Sequence, residues 1–158
     1  MGTFAGGAFC LHNEVDPNAM KYQYFRLDKW DMMQSPMSLE TRLLGEGQDT
    51  KAAAGLLFAF DPVTRLYWTF HVNENGEYQV WQRETNQLTT ILTGRSNQII
   101  TGQYNRLGLV HHRLKTYLFI NDHHVKTIEH TTALRGDCGI IAMGNGQFYF
   151  DNFQFFRS

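Results

Sequence analysis

The last third of the chain alternates short runs of β-branched and aromatic residues with Asn, Asp and Gly. Residues 104–110 and 115–120 form two such runs, and Asn121-Asp122 follows the second. Residues 136–141 and 147–155 repeat the pattern. Runs of this length between turn-forming residues are typical of antiparallel strands joined by tight turns. The pattern therefore predicts an all-β region built from hairpins.

The same pattern continues upstream. Residues 52–60 are almost wholly apolar and end at Asp61-Pro62, which favours a central strand buried on both faces over a buried helix. Residues 66–72 alternate in polarity, and residues 77–83 alternate again after Asn73-Glu74-Asn75-Gly76. An Asn-Gly pair accepts the positive φ that tight hairpins need. A β-hairpin is predicted here.

The domain organisation follows from the density of strands. A short segment, residues 28–34, is the one place where a helix is expected. Strands without helices to cover them bury one sheet against another. The sequence therefore predicts one all-β domain, a two-sheet antiparallel β-sandwich, over residues 22–158. Residues 1–21 are Gly-rich and irregular, and they are predicted to be an N-terminal extension or an edge segment.

The charge and hydropathy of the sequence limit the classes of partner that this chain is expected to bind. The chain has 14 Lys and Arg against 15 Asp and Glu, a net charge of -1, and these charges are scattered singly. Binding to nucleic acid requires a basic face, so nucleic acid is not expected as a partner. No apolar run reaches the length of a membrane helix. Residues 1–10 lack the basic start and apolar segment of a signal peptide, which favours a cytoplasmic location.

The two cysteines, Cys10 and Cys138, are too few and too far apart for a metal knuckle or a disulfide framework. Cys138 lies in a predicted core strand. We expect it to be a buried, unreactive thiol.

Six segments mark turns or core positions: Gly55-Leu56-Leu57-Phe58, Leu66-Tyr67-Trp68-Thr69-Phe70, Gly76-Glu77-Tyr78, Asn105-Arg106-Leu107, Ile120-Asn121-Asp122, and residues 136–140 leading into Phe150-Asp151-Asn152-Phe153. Together they resemble a laminin G-like jelly roll of the concanavalin A-like lectin and glucanase superfamily. Asp122 stands where the family often has Gly, and Asp also tolerates left-handed backbone. The resemblance implies a jelly-roll sandwich. It leaves activity open, because the superfamily includes lectins, glycoside hydrolases and protein-binding domains.

One outer sheet face is the candidate ligand-binding surface. If Leu66, Trp68, Phe70, Tyr78 and Val80 point into the core, the opposite phase forms an aromatic and polar face. Its predicted members are Tyr67, Thr69, His71, Gln79, Trp81 and Arg83, with Tyr117 and Phe119 as an extension. Aromatic rings stack on sugars while planar polar groups bind hydroxyls, and protein interfaces use the same residue types. The sequence predicts a recognition module for carbohydrate or a protein partner, through a sheet face or loop rim, unless another segment covers this face.

Two alternatives from other classes stay open. A glycoside hydrolase needs two carboxyl groups across the scissile bond. Glu40 and Glu46 would not face one bond, and Glu74, Glu77 and Glu84 lie at or beside predicted turns. We therefore assign no catalytic residue, and enzymatic activity is disfavoured. The other alternative is a scaffolding subunit, in which the Phe-rich residues 153–156 and the Gly-rich N-terminus contact neighbouring proteins.

Seven histidines raise the question of a metal site. His111-His112 and His123-His124 are adjacent pairs, but neighbours on a strand point to opposite faces, so neither pair chelates through both rings. A zinc site built from one member of each pair, together with His71 or His130, is geometrically possible.

Calcium is the second metal to consider. The resemblance implies it, since several laminin G-like domains hold calcium at the sandwich edge through oxygen ligands. The candidate ligands are Asp61, Asp137 and Asp151. We expect no cofactor, and the question of a metal stays open.

Overall fold

The structure, a computed structural model, describes residues 2–5, 8–13, 20–25, 36–45, 52–85 and 87–155. Within these ranges the chain forms thirteen strands. The helix predicted at residues 28–34 lies outside the described residues, as does Phe156 in the predicted scaffolding contact. In the part of the chain that is described, no helix has the length and apolar character needed to cross a membrane.

The strands are β1 (Gly2–Ala5), β2 (Ala8–Asn13), β3 (Met20–Phe25), β4 (Pro36–Gly45), β5 (Ala53–Phe60), β6 (Tyr67–Asn73), β7 (Glu77–Glu84), β8 (Gln87–Arg95), β9 (Asn105–His112), β10 (Lys115–Ile120), β11 (His123–Glu129), β12 (Asp137–Met143) and β13 (Gly146–Phe155). A seven-stranded sheet has the order β1-β2-β13-β4-β9-β10-β11, and a six-stranded sheet has the order β3-β12-β5-β6-β7-β8. The described pairings are antiparallel. The predicted all-β sandwich is confirmed.

The residues predicted to form the N-terminal segment contribute two strands to the seven-stranded sheet. β1 pairs with β2, and β2 pairs with β13. β3 begins at Met20, inside the same predicted segment, and pairs with β12 in the other sheet. Residues 1–21 therefore supply strands to both sheets.

The main core lies between the two sheets. Its fully buried members come from both layers and include Leu39, Leu107, Leu118, Leu56, Phe70 and Val80. Each such side chain stabilises the fold by about 1.5–3 kcal/mol through burial. The predicted inward phase is confirmed for Phe70, Tyr78 and Val80, and Trp68 packs half-buried against the same cluster.

A second apolar cluster covers the opposite face of the six-stranded sheet. It contains Leu57, Tyr67, Ile141 and Met143, and Trp81 packs at its margin. β5 and β12 therefore bury both of their faces. This explains why residues 52–60 are apolar at nearly every position, and it confirms the predicted central strand.

A β-bulge at Ala59 sends one aromatic ring to this second cluster. Ala59 has φ 52°, and three steps along β5 from Leu57 to Phe60 pass two steps along β12. The extra residue reverses the alternation, so Phe60 points to the outer face. There it stacks on Tyr24, with ring centroids 4.3 Å apart.

Gly55 permits the close approach of β5 to β6. A Cβ at this position would overlap Phe70 O and would lie 2.6 Å from His71 Cα. Any side chain at position 55 therefore forces the two central strands apart.

The predicted hairpin turns are confirmed. Between β6 and β7, the side-chain oxygen of Asn73 accepts hydrogen bonds from the backbone N–H of Asn75 (2.9 Å) and of Glu77 (3.1 Å), and Gly76 has φ 79°. Between β10 and β11, Asn121 and Asp122 have φ 48° and 67°. Gly76, Asn121 and Asp122, which are among the residues that predicted these turns, thus supply the left-handed backbone.

Cys138 is a fully buried free thiol, as predicted. Burial raises its pKa to about 12, and the neighbouring Asp137 carboxylate acts in the same direction. A thiol with this pKa is protonated and unreactive at neutral pH.

Candidate functional site

The six predicted site residues on β6 and β7 lie together on the outer face of the six-stranded sheet. The antiparallel register places Tyr67 opposite Arg83, Thr69 opposite Trp81, and His71 opposite Gln79. The three pairs form three successive rungs along the hairpin. Period-2 alternation is the reason why all six share one face.

The predicted extension through Tyr117 and Phe119 is wrong. β10 belongs to the seven-stranded sheet, and Phe119 packs near His124 of β11, with ring centroids 5.6 Å apart. These aromatics are therefore on the other layer of the sandwich. Alternation assigns a residue to one face of its own strand, but it does not say which sheet that strand joins.

The six residues differ in exposure. Tyr67, Thr69 and His71 are 5%, 0% and 2% exposed, whereas Gln79 and Trp81 are half-buried and Arg83 is exposed. The prediction that all of them form an open surface is therefore wrong for the three β6 residues. Tyr67 belongs to the second apolar cluster, so its ring is surrounded by other apolar side chains.

His71 is the centre of a small polar network. Its Nδ1 lies 3.0 Å from Thr69 Oγ1, and its Nε2 lies 3.4 Å from Gln79 Oε1. The amide oxygen can only accept, so Nε2 carries the proton and the Thr69 hydroxyl donates to Nδ1. Burial lowers the pKa of His71 to about 4, and the Gln79 hydrogen bond opposes this shift. His71 is therefore neutral at pH 7.

A pocket of about 300 Å³ opens beside the β6–β7 turn; we call it the hairpin pocket. It is lined by Ala53, His71, Asn73, Glu77, Gln79, Trp81 and Met143. Sequence reasoning assigned Asn73 and Glu77 to the turn and did not include them in the site. The sequence did contain a signal for both residues. Asn73 lies two residues after His71 on β6 and Glu77 lies two residues before Gln79 on β7, so period-2 alternation places them on the same outer face.

The carboxylate of Glu77 is held in place within this pocket. Arg95 Nη2 donates to Glu77 Oε1 at 2.9 Å, and the Asn73 side-chain amide donates to Oε2 at 3.2 Å. The guanidinium balances the charge of the carboxylate. The pocket therefore combines an aromatic ring, a carboxylate and two amides, groups that can bind a neutral polyhydroxylated ligand.

Trp81 has an unusual polar atom. Its indole Nε1 is buried and finds no acceptor among the described residues. An unpaired buried N–H carries a desolvation cost. The ring is nevertheless fixed, because it packs edge-on against His71 with centroids 4.7 Å apart.

The candidate metal ligands are dispersed. Among the described residues, no group of three or more His, Cys, Asp or Glu side chains is suitably placed for a metal ion. Asp61 Oδ1 accepts backbone hydrogen bonds from Val63 (2.9 Å) and Thr64 (3.4 Å), and the Val63 bond is the main reason why the Asp61 pKa is lowered. Asp151 accepts from the backbone N–H of Asn152 at 2.8 Å. Calcium binding stays a prediction.

Two histidines of the zinc hypothesis meet through a hydroxyl group. Thr116 Oγ1 lies 2.9 Å from His111 Nδ1 and 2.8 Å from His130 Nε2. The backbone N–H of Leu134 donates to His111 Nε2 at 3.4 Å, so the proton of neutral His111 is on Nδ1. Thr116 then accepts from His111 and donates to His130. This hydrogen-bond chain gives the two rings a structural role.

Comparisons with known proteins identify the type of fold. No protein-family model matches the sequence, and no curated protein matches it. The carbohydrate binding module CBM66 from Bacillus subtilis superposes with a TM-score of 0.77 at 11% identity, covering 99% of this chain and 91% of that one. The carbohydrate recognition domain of Emp47p gives 0.69 at 12% identity, with 99% and 86% covered. Sheep galectin-11 gives 0.59 at 9% identity, with 90% and 100% covered.

The fold is a galectin-like jelly roll. It is a sandwich of the concanavalin A-like type, so the broader resemblance drawn from the sequence is confirmed as a fold. These neighbours do not single out the laminin G-like subdivision, which stays a prediction. Their sequence identities are low, so the likeness concerns architecture and leaves the site to be argued from its own residues.

Proposed function

We propose that this chain is a carbohydrate-binding module and that its ligand occupies the hairpin pocket. The observation that carries the proposal is the joint placement of Trp81 with Asn73, Glu77 and Gln79 around one pocket on a sheet face. A sugar presents C–H groups on its ring face and hydroxyl groups at its rim. The pocket offers a counterpart to each.

The proposed contacts follow from the chemistry of these side chains. The exposed part of the Trp81 ring stacks on the sugar, as aromatic surfaces pack against apolar faces. Asn73 has one remaining amide donor, because its oxygen accepts from two backbone N–H groups and its other N–H is donated to Glu77. Gln79 provides donors and an acceptor, and Glu77 provides acceptors. Hydroxyl groups both donate and accept, so this set matches them.

The site is organised before any ligand arrives. Arg95 and Asn73 orient the Glu77 carboxylate, and buried His71 contacts both Gln79 and Trp81. Side chains held in their binding geometry lose little conformational entropy on association. Restrained polar groups of this kind favour selective binding of a small polar ligand.

The structural neighbours support the same class of ligand. One is described as a carbohydrate binding module and another as a carbohydrate recognition domain. Hydrolysis has less support. Of the described residues that line the hairpin pocket, Glu77 alone is a carboxylic acid, and glycoside hydrolases use two carboxyl groups.

A glycan array tests this proposal. The purified chain is applied with calcium and again with EDTA, beside Gln79→Ala and the control Tyr117→Ala. Tyr117 lies on the other sheet, so its change should leave binding intact. We expect the wild-type chain to bind a restricted set of neutral glycans in both buffers. This binding should be lost in the Gln79→Ala variant. The proposal would be contradicted if the wild-type chain bound no glycan on the array, or if the Gln79→Ala variant bound as well as the wild type.

A further inference from the structure

A second, larger pocket lies at the far end of the β6–β7 hairpin from the turn. Its volume is about 560 Å³, and its polar and aromatic lining includes Tyr67, Trp68, Gln82, Arg83, Glu84 and Arg135. These residues come from the start of β6, the end of β7 and the loop of residues 130–136 between β11 and β12. We call it the arginine pocket.

The two arginines of this pocket are exposed and available for a ligand. Neither Arg83 nor Arg135 forms an ion pair or a side-chain hydrogen bond with another described residue. Four arginines elsewhere have partners: Arg42 with Gly102 and Tyr149, Arg65 with Tyr22, Arg95 with Glu77, and Arg106 with Asp122. Two guanidinium groups that line one pocket and have no partner among the described residues can bind an anion, because each presents a planar fork of donors.

The charge balance of the pocket limits the size of the anionic charge. Glu84 also lines it, so two guanidinium groups face one carboxylate and the net charge is about +1. A singly charged group matches this net charge, whereas a doubly charged phosphate would exceed it. A carboxylate fits the charge and also the bidentate geometry that arginine favours.

The two pockets lie along one strand. Gln79 and Trp81 line the hairpin pocket, and Arg83 lines the arginine pocket. Alternate residues on a strand are about 6.6 Å apart, so a short saccharide chain can reach from one pocket to the other. The half-buried side chains of Trp68 and Gln82 also line the arginine pocket.

We propose that the arginine pocket binds the carboxylate of an acidic saccharide, a uronic acid. The idea that one saccharide occupies both pockets rests on the proposed function above. Binding of a single uronate unit does not, because Arg83, Arg135 and Gln82 lie outside the hairpin pocket.

Isothermal titration calorimetry with methyl glucuronide and methyl galacturonide tests the proposal, with the methyl glucoside and methyl galactoside as neutral counterparts. We expect at least one uronate to bind more tightly than its neutral counterpart. Arg135→Gln and Arg83→Gln should each weaken that binding about tenfold or more, since each removes charge-assisted hydrogen bonds. Arg106→Gln is the matched control, because it makes the same charge change on the other sheet and should have no effect.

Additional variants and ligands test whether the pocket recognises the carboxylate. Glu84→Gln should tighten uronate binding by removing the repulsive carboxylate. Equal affinity for uronates and their neutral counterparts would overturn the proposal, as would unchanged uronate binding in both arginine variants. Tighter binding of a sulfated methyl galactoside than of either uronate would also overturn it. Both arginines are exposed, so a thermal melt should show that the variants remain folded.

The two proposals can fail separately. If Gln79→Ala abolishes binding of neutral glycans but leaves binding of the single uronate unchanged, the two pockets act independently and both proposals stand. If no neutral glycan on the array is bound, while the uronate is bound and its binding is weakened by Arg135→Gln, the hairpin-pocket proposal fails and the uronate proposal stands. Loss of uronate binding in Gln79→Ala but not in Arg135→Gln would place the uronate in the hairpin pocket and overturn the inference.

Discussion

The indole ring of Trp81 meets the imidazole ring of His71 edge-on, with centroids 4.7 Å apart and planes at 79°. This contact joins β7 to β6 across the floor of the hairpin pocket. It means that Trp81 both packs against the sheet and lines the candidate site. A purely superficial ligand anchor would lack such a contact, so the two roles have to be separated by experiment.

Substitution of Trp81 separates stability from binding. Trp81→Ala should abolish glycan binding and lower the free energy of unfolding by about 2 kcal/mol, less than for a fully buried ring because Trp81 is half-buried. Trp81→Phe keeps an aromatic ring and removes the indole N–H, which has no acceptor among the described residues, so its loss of stability should be smaller. Urea denaturation measures the stability and calorimetry measures the binding. A Trp81→Ala protein that binds normally would exclude the ring from the site.

Acid should destabilise the protein through His71. Its pKa is about 4 in the folded chain and about 6.5 in the unfolded chain. Between these values the unfolded state binds more protons, so the stability contributed by neutral His71 is full above pH 6.5 and declines as the pH falls to 4. The loss should reach about 3 kcal/mol.

The contribution of His71 can be isolated by difference. The free energy of unfolding is measured against pH for the wild type and for His71→Gln, because carboxylates and His130 also titrate in part of this range. The gap between the two curves should narrow steadily from pH 6.5 to pH 4. A gap that stays constant would show that His71 has an ordinary pKa in the folded protein.

Arg95 should support ligand binding through Glu77. Its side chain is 71% exposed, and an exposed ion pair contributes only about 0.2–1 kcal/mol to stability. Arg95→Gln should therefore melt near the wild-type temperature but bind glycan several-fold more weakly, because the Glu77 carboxylate loses an orienting partner. If affinity is unchanged while Glu77→Gln abolishes binding, the Asn73 amide alone is sufficient to position the carboxylate.

Two glycines should respond differently to the same substitution. A Cβ on Gly55 would overlap the β6 backbone at Phe70, whereas one on Gly108 would meet its neighbours at 3.6 and 3.7 Å, which is ordinary contact. Gly55→Ala should therefore cost at least about 3 kcal/mol as an overpacked core position, and Gly108→Ala should be nearly neutral. Chemical denaturation of both variants checks this. Similar stabilities would mean that β5 and β6 can separate without loss.

The sequence determined the central strands β5, β6 and β7 and, for β6 and β7, the face that points inward, whereas it did not indicate β1, β2 or β11. Alternation along β6 and β7 and the Asn-Gly turn between them fixed the hairpin, and the residues of the outward phase followed from it. These are local properties, because side chains alternate with period 2 and Asn and Gly tolerate positive φ. For the same reason, the landmarks of the jelly roll could be read from turns and core positions.

Only the tertiary structure decided which strands share a sheet and which outer faces are covered. Tyr117 alternates as Tyr67 does, yet β10 pairs with β9 and β11 in the other layer. Tyr67 is buried because aromatic side chains of β3, β5 and β6 gather in the second cluster. Phe60 joins that cluster because of one bulge at Ala59. Strand order, register shifts and packing between distant segments depend on contacts far apart in the chain, and these leave no period in the sequence.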